Sequence, residues 1–177
     1  MDFVVLSKLF NFRKIIQMKN LIIIRHAKSS WDVPVTDKER EIVKSGVESI
    51  KKVAQEAKSI ILEAFVIWSS TATRAMQTAN VFCTELNIDI TKIVLKDNLY
   101  TFDANELFSI IKNCDNNIDN LIVFGHNSAI TDFVNHCGDK TFFDVPTAGL
   151  VNILFNGDNW SEIKTGKTRI NIFPKEI

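Results

Sequence analysis

Residues 20–31, with the sequence NLIIIRHAKSSW, decide the fold class of this 177-residue chain. Residues 21–24 are apolar at every position and rich in isoleucine, and Arg25 and His26 follow them directly. Such a run is typical of a strand buried on both faces, as in the interior of a parallel α/β sheet. Ligands of these sheets collect outside the carboxyl ends of the strands. The sequence therefore places a guanidinium and an imidazole at the edge where chemistry is expected.

The composition indicates one globular domain with no strong overall field. Hydrophobic residues make up 46% of the chain, and its length suits a single domain. Basic and acidic residues number 21 each, so the formal net charge is zero, which argues against nucleic acid or an anionic membrane as a partner. Three scattered cysteines without a C-x-x-C pair argue against disulfides and zinc and favour a cytoplasmic location. No apolar run approaches the roughly 18 residues that span a bilayer, so no integral membrane segment is expected.

Residues 1–19 differ from the rest, with four basic side chains and one acidic side chain among apolar residues. A signal peptide is disfavoured because Lys8 interrupts the apolar stretch and no small-residue cleavage site follows. Two interpretations stay open: a chain that truly starts at Met18, or a basic amphipathic helix with Phe3, Leu6, Leu9, Phe10 and Arg13 at helical spacing. We expect residues 1–19 to be an N-terminal extension outside the fold and residues 20–177 to form the domain.

Strand and helix patterns alternate along the remaining chain. Short apolar runs predict strands at residues 21–24, 65–68, 93–95, 121–124 and 150–155. Apolar residues three and four positions apart predict helices at residues 43–57, 72–86, 104–111 and 130–137, with caps expected from residues 69–71, Asp103 and residues 127–128. The Asn-Gly-Asp turn at residues 156–158 suggests an edge hairpin. This alternation predicts an α/β fold, a three-layer α/β/α sandwich with a mostly parallel central sheet.

Several cationic or titratable side chains fall at equivalent positions. His26 and His126 each end a strongly apolar strand, and Arg25, Arg40 and Arg74 lie next to strand ends or helix starts. If parallel strands bring these ends together, the cations repel one another unless an anion lies between them. Arginine forks match phosphate oxygens, and helix N-termini add backbone N–H donors. The cluster therefore predicts a phosphate site.

Four motifs in this order make the chain resemble the histidine phosphatases of the phosphoglycerate mutase-like superfamily, and among them the SixA-type phosphohistidine phosphatases. IIIRHAKSSW is similar to the family's Arg-His-Gly or Arg-His-Ala opening, SSTATRAMQTA to its Ser-x-x-x-Arg-x-x-x-Thr-Ala segment, and VFGHNSAI to its second-histidine motif. Asp37-x-x-Arg40, six residues before Gly46, resembles a SixA-group stretch, although Glu41-Ile42 replaces the usual Pro-Leu. The resemblance extends from Asn20 to about Phe155.

The resemblance implies a phosphoglycerate mutase-like fold and a role for each matching residue. His26 would attack phosphorus as a neutral imidazole, while Arg25, Arg74 and His126 would hold the phosphoryl oxygens. Water would then hydrolyse the phosphohistidine intermediate, with no metal or cofactor required. Further substrate-binding candidates are Arg40, Asn127 and Lys28; for Lys28 a solvated loop position is the alternative.

The donor of the leaving group's proton is less clear from the sequence. Alcohol esters need a carboxylic acid to protonate the leaving oxygen, whereas the imidazole of phosphohistidine needs less help. Asp97, Asp103 and Glu106 fall in the region where ester-hydrolysing relatives place a glutamate, but none lies in a glutamate motif. Asp37 is the candidate either for assisting proton transfer or for orienting Arg40. The expected partner is a phosphorylated substrate, either a phosphohistidine protein or a phosphomonoester.

Another class of function stays open. The same fold could serve as a non-catalytic phosphate- or phosphoprotein-binding module, although both histidines and both core arginines are present. A mutase is disfavoured, because nothing resembles insertions that bind a second phosphate. His136 and Asp132 share a helix face at a spacing that can bind metal, but with no third ligand nearby we interpret them as a solvated face. Thr147 either lines the site or serves the turn before the last central strand.

Overall fold

The computed structural model describes residues 17–61 and 64–177. Its six strands are β1 (Met18–Arg25), β2 (Val66–Ser70), β3 (Ile93–Lys96), β4 (Asn120–Gly125), β5 (Leu150–Asn156) and β6 (Lys167–Ile172). They form one sheet in the order β3-β2-β4-β1-β5-β6. Neighbours among β3, β2, β4 and β1 are parallel, whereas β5 runs antiparallel to both β1 and β6. The sheet is therefore mostly parallel, with β1 at its centre.

Four helices cover the two faces of the sheet: α1 (Lys44–Ala57), α2 (Thr73–Glu85), α3 (Ala104–Lys112) and α4 (Ala129–Cys137). Alternate residues of β1 point to opposite faces, as the twofold period of a strand requires. Ile22 and Ile24 belong to the core beneath α1 and α2, and Leu21 and Ile23 belong to the core beneath α3 and α4. All four side chains are fully buried. The predicted three-layer α/β/α sandwich is confirmed.

The N-terminal boundary of the domain differs from the predicted one. Strand β1 begins at Met18, and Met18 and Lys19 pair with Asn156 and Phe155 of β5. Lys19 is 1% exposed, and its Nζ donates to Asp119 Oδ1 at 2.7 Å and to the Asn116 carbonyl at 2.6 Å. These two residues therefore belong to the fold, because strand pairing holds both of them and the buried Lys19 forms an ion pair with the largely exposed Asp119. Residues 1–16, including the predicted amphipathic helix, lie outside the described residues.

The other elements follow the predictions closely, with two differences. Asp103 caps α3 by accepting from the N–H groups of Asn105 and Glu106, as expected, but α2 begins after Ala72 rather than after a hydroxyl cap. Strands β5 and β6 form the predicted antiparallel pair at the sheet edge. The connection between them is longer than the predicted turn at residues 156–158, because it includes a short 3-10 helix at Trp160–Glu162. The side chain of Trp160 is fully buried.

The loop after β1 packs closely against the start of α1. A Cβ on Gly46 would lie 2.5 Å from the Lys28 carbonyl oxygen, so only glycine permits this approach. The Val43 N–H donates to the same carbonyl at 2.9 Å. These contacts hold the loop that follows His26 over the carboxyl edge of the sheet. Within the described residues, no helix is both long and apolar enough to cross a membrane.

Candidate active site

The carboxyl edge of the sheet carries a cavity of about 410 Å³. Arg25 at the end of β1 lies opposite Gly125 at the end of β4, so His26 and His126 emerge side by side with ring centroids 5.2 Å apart. The cavity is lined by Arg25, His26, Lys28, Ser29, Trp31, Asp37, Arg40, Arg74, Phe102, Asn127 and Thr147. All eight residues proposed from the sequence therefore lie in or directly behind one cavity, and Thr147 lines it as well.

The surroundings of His26 select one ring nitrogen for chemistry. Nδ1 lies 2.9 Å from the carbonyl oxygen of Ala27, which can only accept, so Nδ1 carries the ring proton and Nε2 keeps its lone pair. Burial is the main influence that lowers the pKa of His26 from 6.5 to about 4, partly opposed by the Ala27 hydrogen bond and reinforced by the charges of Arg74 and Arg25. The imidazole of the ligand-free site is therefore neutral at physiological pH.

His126 is held through the other nitrogen. Its Nε2 lies 2.8 Å from Ser70 Oγ at the end of β2, and that hydroxyl oxygen accepts from the N–H of Ala72 at 3.2 Å. The Ser70 proton is thus available to Nε2, and we assign the ring proton of His126 to Nδ1. Burial, with smaller contributions from the charges of His26 and Arg74, lowers the pKa of His126 to about 3. His126 is therefore a neutral donor that is 1% exposed.

Asp37 binds two of the three arginines. Its Oδ1 accepts from Arg40 Nε at 3.0 Å, and its Oδ2 accepts from Arg74 Nη2 at 2.9 Å and from the Tyr100 hydroxyl at 2.6 Å. Burial raises the pKa of this carboxyl, but the hydrogen bonds from Tyr100, Arg40 and Arg74 outweigh it and lower the pKa to about 2. Asp37 is therefore ionised at any working pH, and it fixes Arg40 and Arg74 relative to each other.

Arg40 enters the site although Glu41-Ile42 departs from the Pro-Leu pattern expected from the resemblance. Its guanidinium carbon lies 3.5 Å from the ring centroid of Trp31, and its Nη1 donates to Ser29 Oγ at 2.8 Å. The residue is 6% exposed. A buried guanidinium held on several sides keeps a fixed direction, so the placement of Arg40 does not depend on that proline.

The donors without partners point to the ligand. Among the described residues, five buried side-chain nitrogen or oxygen atoms have no hydrogen-bond partner, and three of them are Arg25 Nε, Arg74 Nε and His126 Nδ1. A buried donor without a partner is costly, and native proteins retain one where a ligand supplies the acceptor. All three donors belong to residues around His26. An oxyanion beside His26 would offer acceptor atoms to donors of this kind.

The three acids considered in the sequence as alternative proton donors do not line the cavity. Asp97 accepts from Thr71 and Lys38, Asp103 caps α3, and Glu106 accepts from the Thr101 hydroxyl. Lys28 lines the cavity but is exposed. Across residues 17–61 and 64–177, no group of three histidine, cysteine, aspartate or glutamate side chains could hold a metal ion.

Sequence reasoning missed three residues that hold the site together: Ser70 as the partner of His126, Tyr100 as the partner of Asp37, and Asp144 as the partner of Arg25. Arg25 Nη1 donates to Asp144 Oδ2 at 3.0 Å. Tyr100 is the chain's single tyrosine, which is a weak indication at best. Asp144 lies in the connection between α4 and β5, in no pattern that marks it.

Comparison with known proteins agrees with this geometry. Residues 21–107 match the model of the histidine phosphatase superfamily (branch 1). No curated protein sequence matches the chain. The structure is similar to the protein histidine phosphatase SixA complexed with tungstate, at 17% identity and a TM-score of 0.75 over 89% of this chain and 98% of the other.

Two further solved structures share the fold. One is assigned as the phosphohistidine phosphatase SixA of Agrobacterium tumefaciens, with 20% identity and a TM-score of 0.69 over 87% of this chain and 97% of the other. The second is a mycobacterial glucosyl-3-phosphoglycerate phosphatase, with 12% identity and a TM-score of 0.59 over 86% and 98%. At these identities the likeness shows the phosphoglycerate mutase-like fold alone. The match over residues 21–107, just under half of the chain, makes this part of the protein similar to the histidine phosphatase superfamily.

Proposed function

We propose that the protein is a metal-independent phosphatase that works through a covalent phosphohistidine on His26. The superfamily of the domain supports phosphatase activity in general. The observation that carries the proposal is the set of partnerless buried donors, Arg25 Nε, Arg74 Nε and His126 Nδ1, around a neutral imidazole. An anion that accepts from these donors is held beside the His26 imidazole. A phosphoryl group has oxygen atoms that can accept these hydrogen bonds and a phosphorus atom that the imidazole can attack.

In the first step, the lone pair of His26 Nε2 attacks phosphorus while the bond from phosphorus to the leaving group breaks on the opposite side. The Ala27 carbonyl keeps the proton on Nδ1 and aims Nε2, so no prior deprotonation is needed. A bound dianion raises the pKa of His26 from its low ligand-free value. The lone pair of Nε2 then forms the covalent bond to phosphorus.

Charge on the transferring phosphoryl group is stabilised by Arg25, Arg74 and His126. Catalysis of phosphoryl transfer depends mainly on fixed positive groups that stabilise the charge of the transition state. The electrostatic interaction is stronger where water is excluded. In the second step, water attacks the phosphohistidine, the N–P bond breaks, and inorganic phosphate leaves. The guanidiniums do the work that a metal ion does in other phosphatases.

Of the two roles open for Asp37, the geometry supports orientation. A carboxyl with a pKa of about 2 carries no proton to give to a leaving group at neutral pH. Its contacts with Arg40, Arg74 and Tyr100 instead keep the arginines in place. Asp37 thus acts as a positioning residue.

The substrate that suits this site best is phosphohistidine on a protein surface. The only carboxyl among the cavity-lining residues that the structure describes is the ionised Asp37, so a leaving group that needs little protonation is favoured. Trp31 and Phe102, which line the cavity, are 75% and 47% exposed, and such exposed aromatic side chains suit a macromolecular surface better than a small hydrophilic ester. One structural neighbour is named a protein histidine phosphatase, and another is assigned as a phosphohistidine phosphatase.

Trapping the phosphorylated protein tests the proposal. Purified protein is mixed briefly with a labelled phosphohistidine protein or with labelled p-nitrophenyl phosphate and quenched in base, where phosphohistidine is stable. We expect label on the wild type, faster from phosphohistidine than from the ester, and none on His26→Ala, with turnover of that variant lower by about 10⁴-fold or more.

The matched control is His136→Ala, which removes an exposed histidine of α4 that does not line the cavity. This variant should label and turn over like the wild type. A wild-type protein that binds phosphate but never labels would be a binding module instead. Equal turnover by His26→Ala would contradict the assignment of the nucleophile.

A further inference from the structure

A closed ring of hydrogen bonds joins the ends of β1 and β4 to the connection before β5. Arg25 Nη1 donates to Asp144 Oδ2 at 3.0 Å and to the Val145 carbonyl at 2.7 Å. Asn127 Nδ2 donates to Asp144 Oδ1 at 2.5 Å, while Asn127 Oδ1 accepts from the Thr131 N–H at 3.1 Å. Thr131 Oγ1 accepts in turn from the Val145 N–H at 2.9 Å and closes the ring.

The ring determines which part of Arg25 is left for a ligand. Nη1 makes the hydrogen bonds to Asp144 and Val145, whereas Nε is buried without a partner. A planar guanidinium held at one corner has its remaining N–H directions set as well. Asp144 thereby orients the donor face of Arg25 that the cavity uses.

Asp144 also balances charge. Asp37 holds Arg40 and Arg74, and Asp144 holds Arg25, so each of the three arginines has a carboxylate partner. Asp144 itself does not line the cavity. A carboxylate behind an arginine restrains it without occupying the space of the substrate.

We propose that Asp144 is a positioning residue for phosphate recognition, which orients Arg25 and Asn127 together from outside the cavity. This inference rests on the proposed function, which assigns Arg25 to the phosphoryl group. Asp144 Oδ1 accepts from both Arg25 and Asn127, so one oxygen atom maintains both contacts. The hydrogen bonds, rather than the charge, should therefore carry the larger share of the effect.

The test compares Asp144→Ala with Asp144→Asn in the full chain, because asparagine keeps an acceptor oxygen at this position and removes the charge. We expect Asp144→Ala to weaken binding of inorganic phosphate, measured by calorimetry, and to lower kcat/KM, each by about tenfold. Asp144→Asn should stay within about threefold of the wild type in both measurements.

The control is Asp139→Ala, in the same connection, where the carboxylate accepts from the Thr168 N–H at 2.7 Å and does not line the cavity. This variant should lower the unfolding midpoint without changing phosphate binding. Wild-type or tighter phosphate binding by Asp144→Ala would overturn the proposal, as would an equal loss in the alanine and asparagine variants. If the wild type proves inactive but Asp144→Ala still weakens phosphate binding, the proposed function fails and the positioning role stands.

Discussion

The ends of β1 and β4 carry nearly the same sequence pattern, but the histidines that follow them have different hydrogen-bond partners. Each strand has four consecutive apolar residues and is followed by a histidine. His26 and His126 therefore lie side by side at the same edge of the sheet. His26 is held through Nδ1 by a carbonyl, which leaves a lone pair on Nε2. His126 is held through Nε2 by Ser70, which leaves Nδ1 without a partner. In the proposed mechanism, the hydrogen-bond partner of each imidazole, rather than its place after a strand, distinguishes the nucleophile from the donor.

The largest effect that tests this contrast comes from His126→Ala. Because the proposed mechanism gives His126 only a hydrogen bond to the phosphoryl group, we expect turnover to fall by about 10²- to 10³-fold, as on loss of one transition-state donor. The protein should still acquire label on His26, more slowly, in a rapid-quench experiment. Label on His26→Ala together with none on His126→Ala would mean that the two assignments are reversed.

A smaller effect is expected from Ser70→Ala, which leaves both histidines in place. Without the Ser70 hydroxyl, nothing favours the proton on Nδ1 of His126, so the fraction of correctly oriented donor falls. Turnover should drop by about tenfold or less, with labelling of His26 retained. Ser69→Ala is the matched control, since the Ser69 hydroxyl donates to the Ser70 carbonyl and does not contact His126. Equal losses in both variants would indicate a packing effect rather than control of the His126 proton.

The smallest expected effect concerns stability against pH. Burial lowers the pKa of His26 to about 4 and that of His126 to about 3, from 6.5. Between these values and 6.5 the unfolded chain binds more protons than the folded protein, so the free energy of unfolding decreases as pH falls through this window. We expect the unfolding midpoint to decrease between pH 6.5 and 4.5 in the wild type and in His136→Ala.

The decrease should be smaller in His126→Ala, because one buried neutral imidazole is gone. Calorimetric midpoints at several pH values measure the difference. The lowered pKa of Asp37, about 2, affects stability only at lower pH, so it does not obscure this window. An identical pH dependence in wild type and His126→Ala would show that His126 is not held neutral by burial.

The positions of the histidines and of two arginines could be predicted because they follow apolar strands or begin an amphipathic helix. Arg25, His26 and His126 end apolar strands, and Arg74 lies in the first turn of a clear amphipathic helix. The partners that hold them could not be predicted. Tyr100 is 63 residues from Asp37 along the chain, and Asp144 is 119 residues from Arg25. No local pattern encodes contacts over such separations, since they depend on how loops from different strands meet.

The fold shows the same division. Apolar runs and helical spacing were sufficient for the layers and for the order of elements. The start of β1 was not predicted, because Lys19 is buried by pairing with β5 and by Asp119, both of which come from distant parts of the chain. In the sequence, a lysine suggests the end of a buried strand. Lys19 can be buried because its ammonium group is paired with the carboxylate of Asp119.

Local sequence patterns are enough to establish the α/β class and to place arginines and histidines at one edge of the sheet. They are enough because strand and helix periodicities are local and because parallel strands bring their carboxyl ends together. The three-dimensional arrangement is needed to show which nitrogen of each histidine is free, that Asp37 is an ionised partner of Arg40 and Arg74, and that Asp144 lies behind Arg25. These properties follow from burial and from hydrogen-bond partners, and both depend on neighbours in space rather than in sequence.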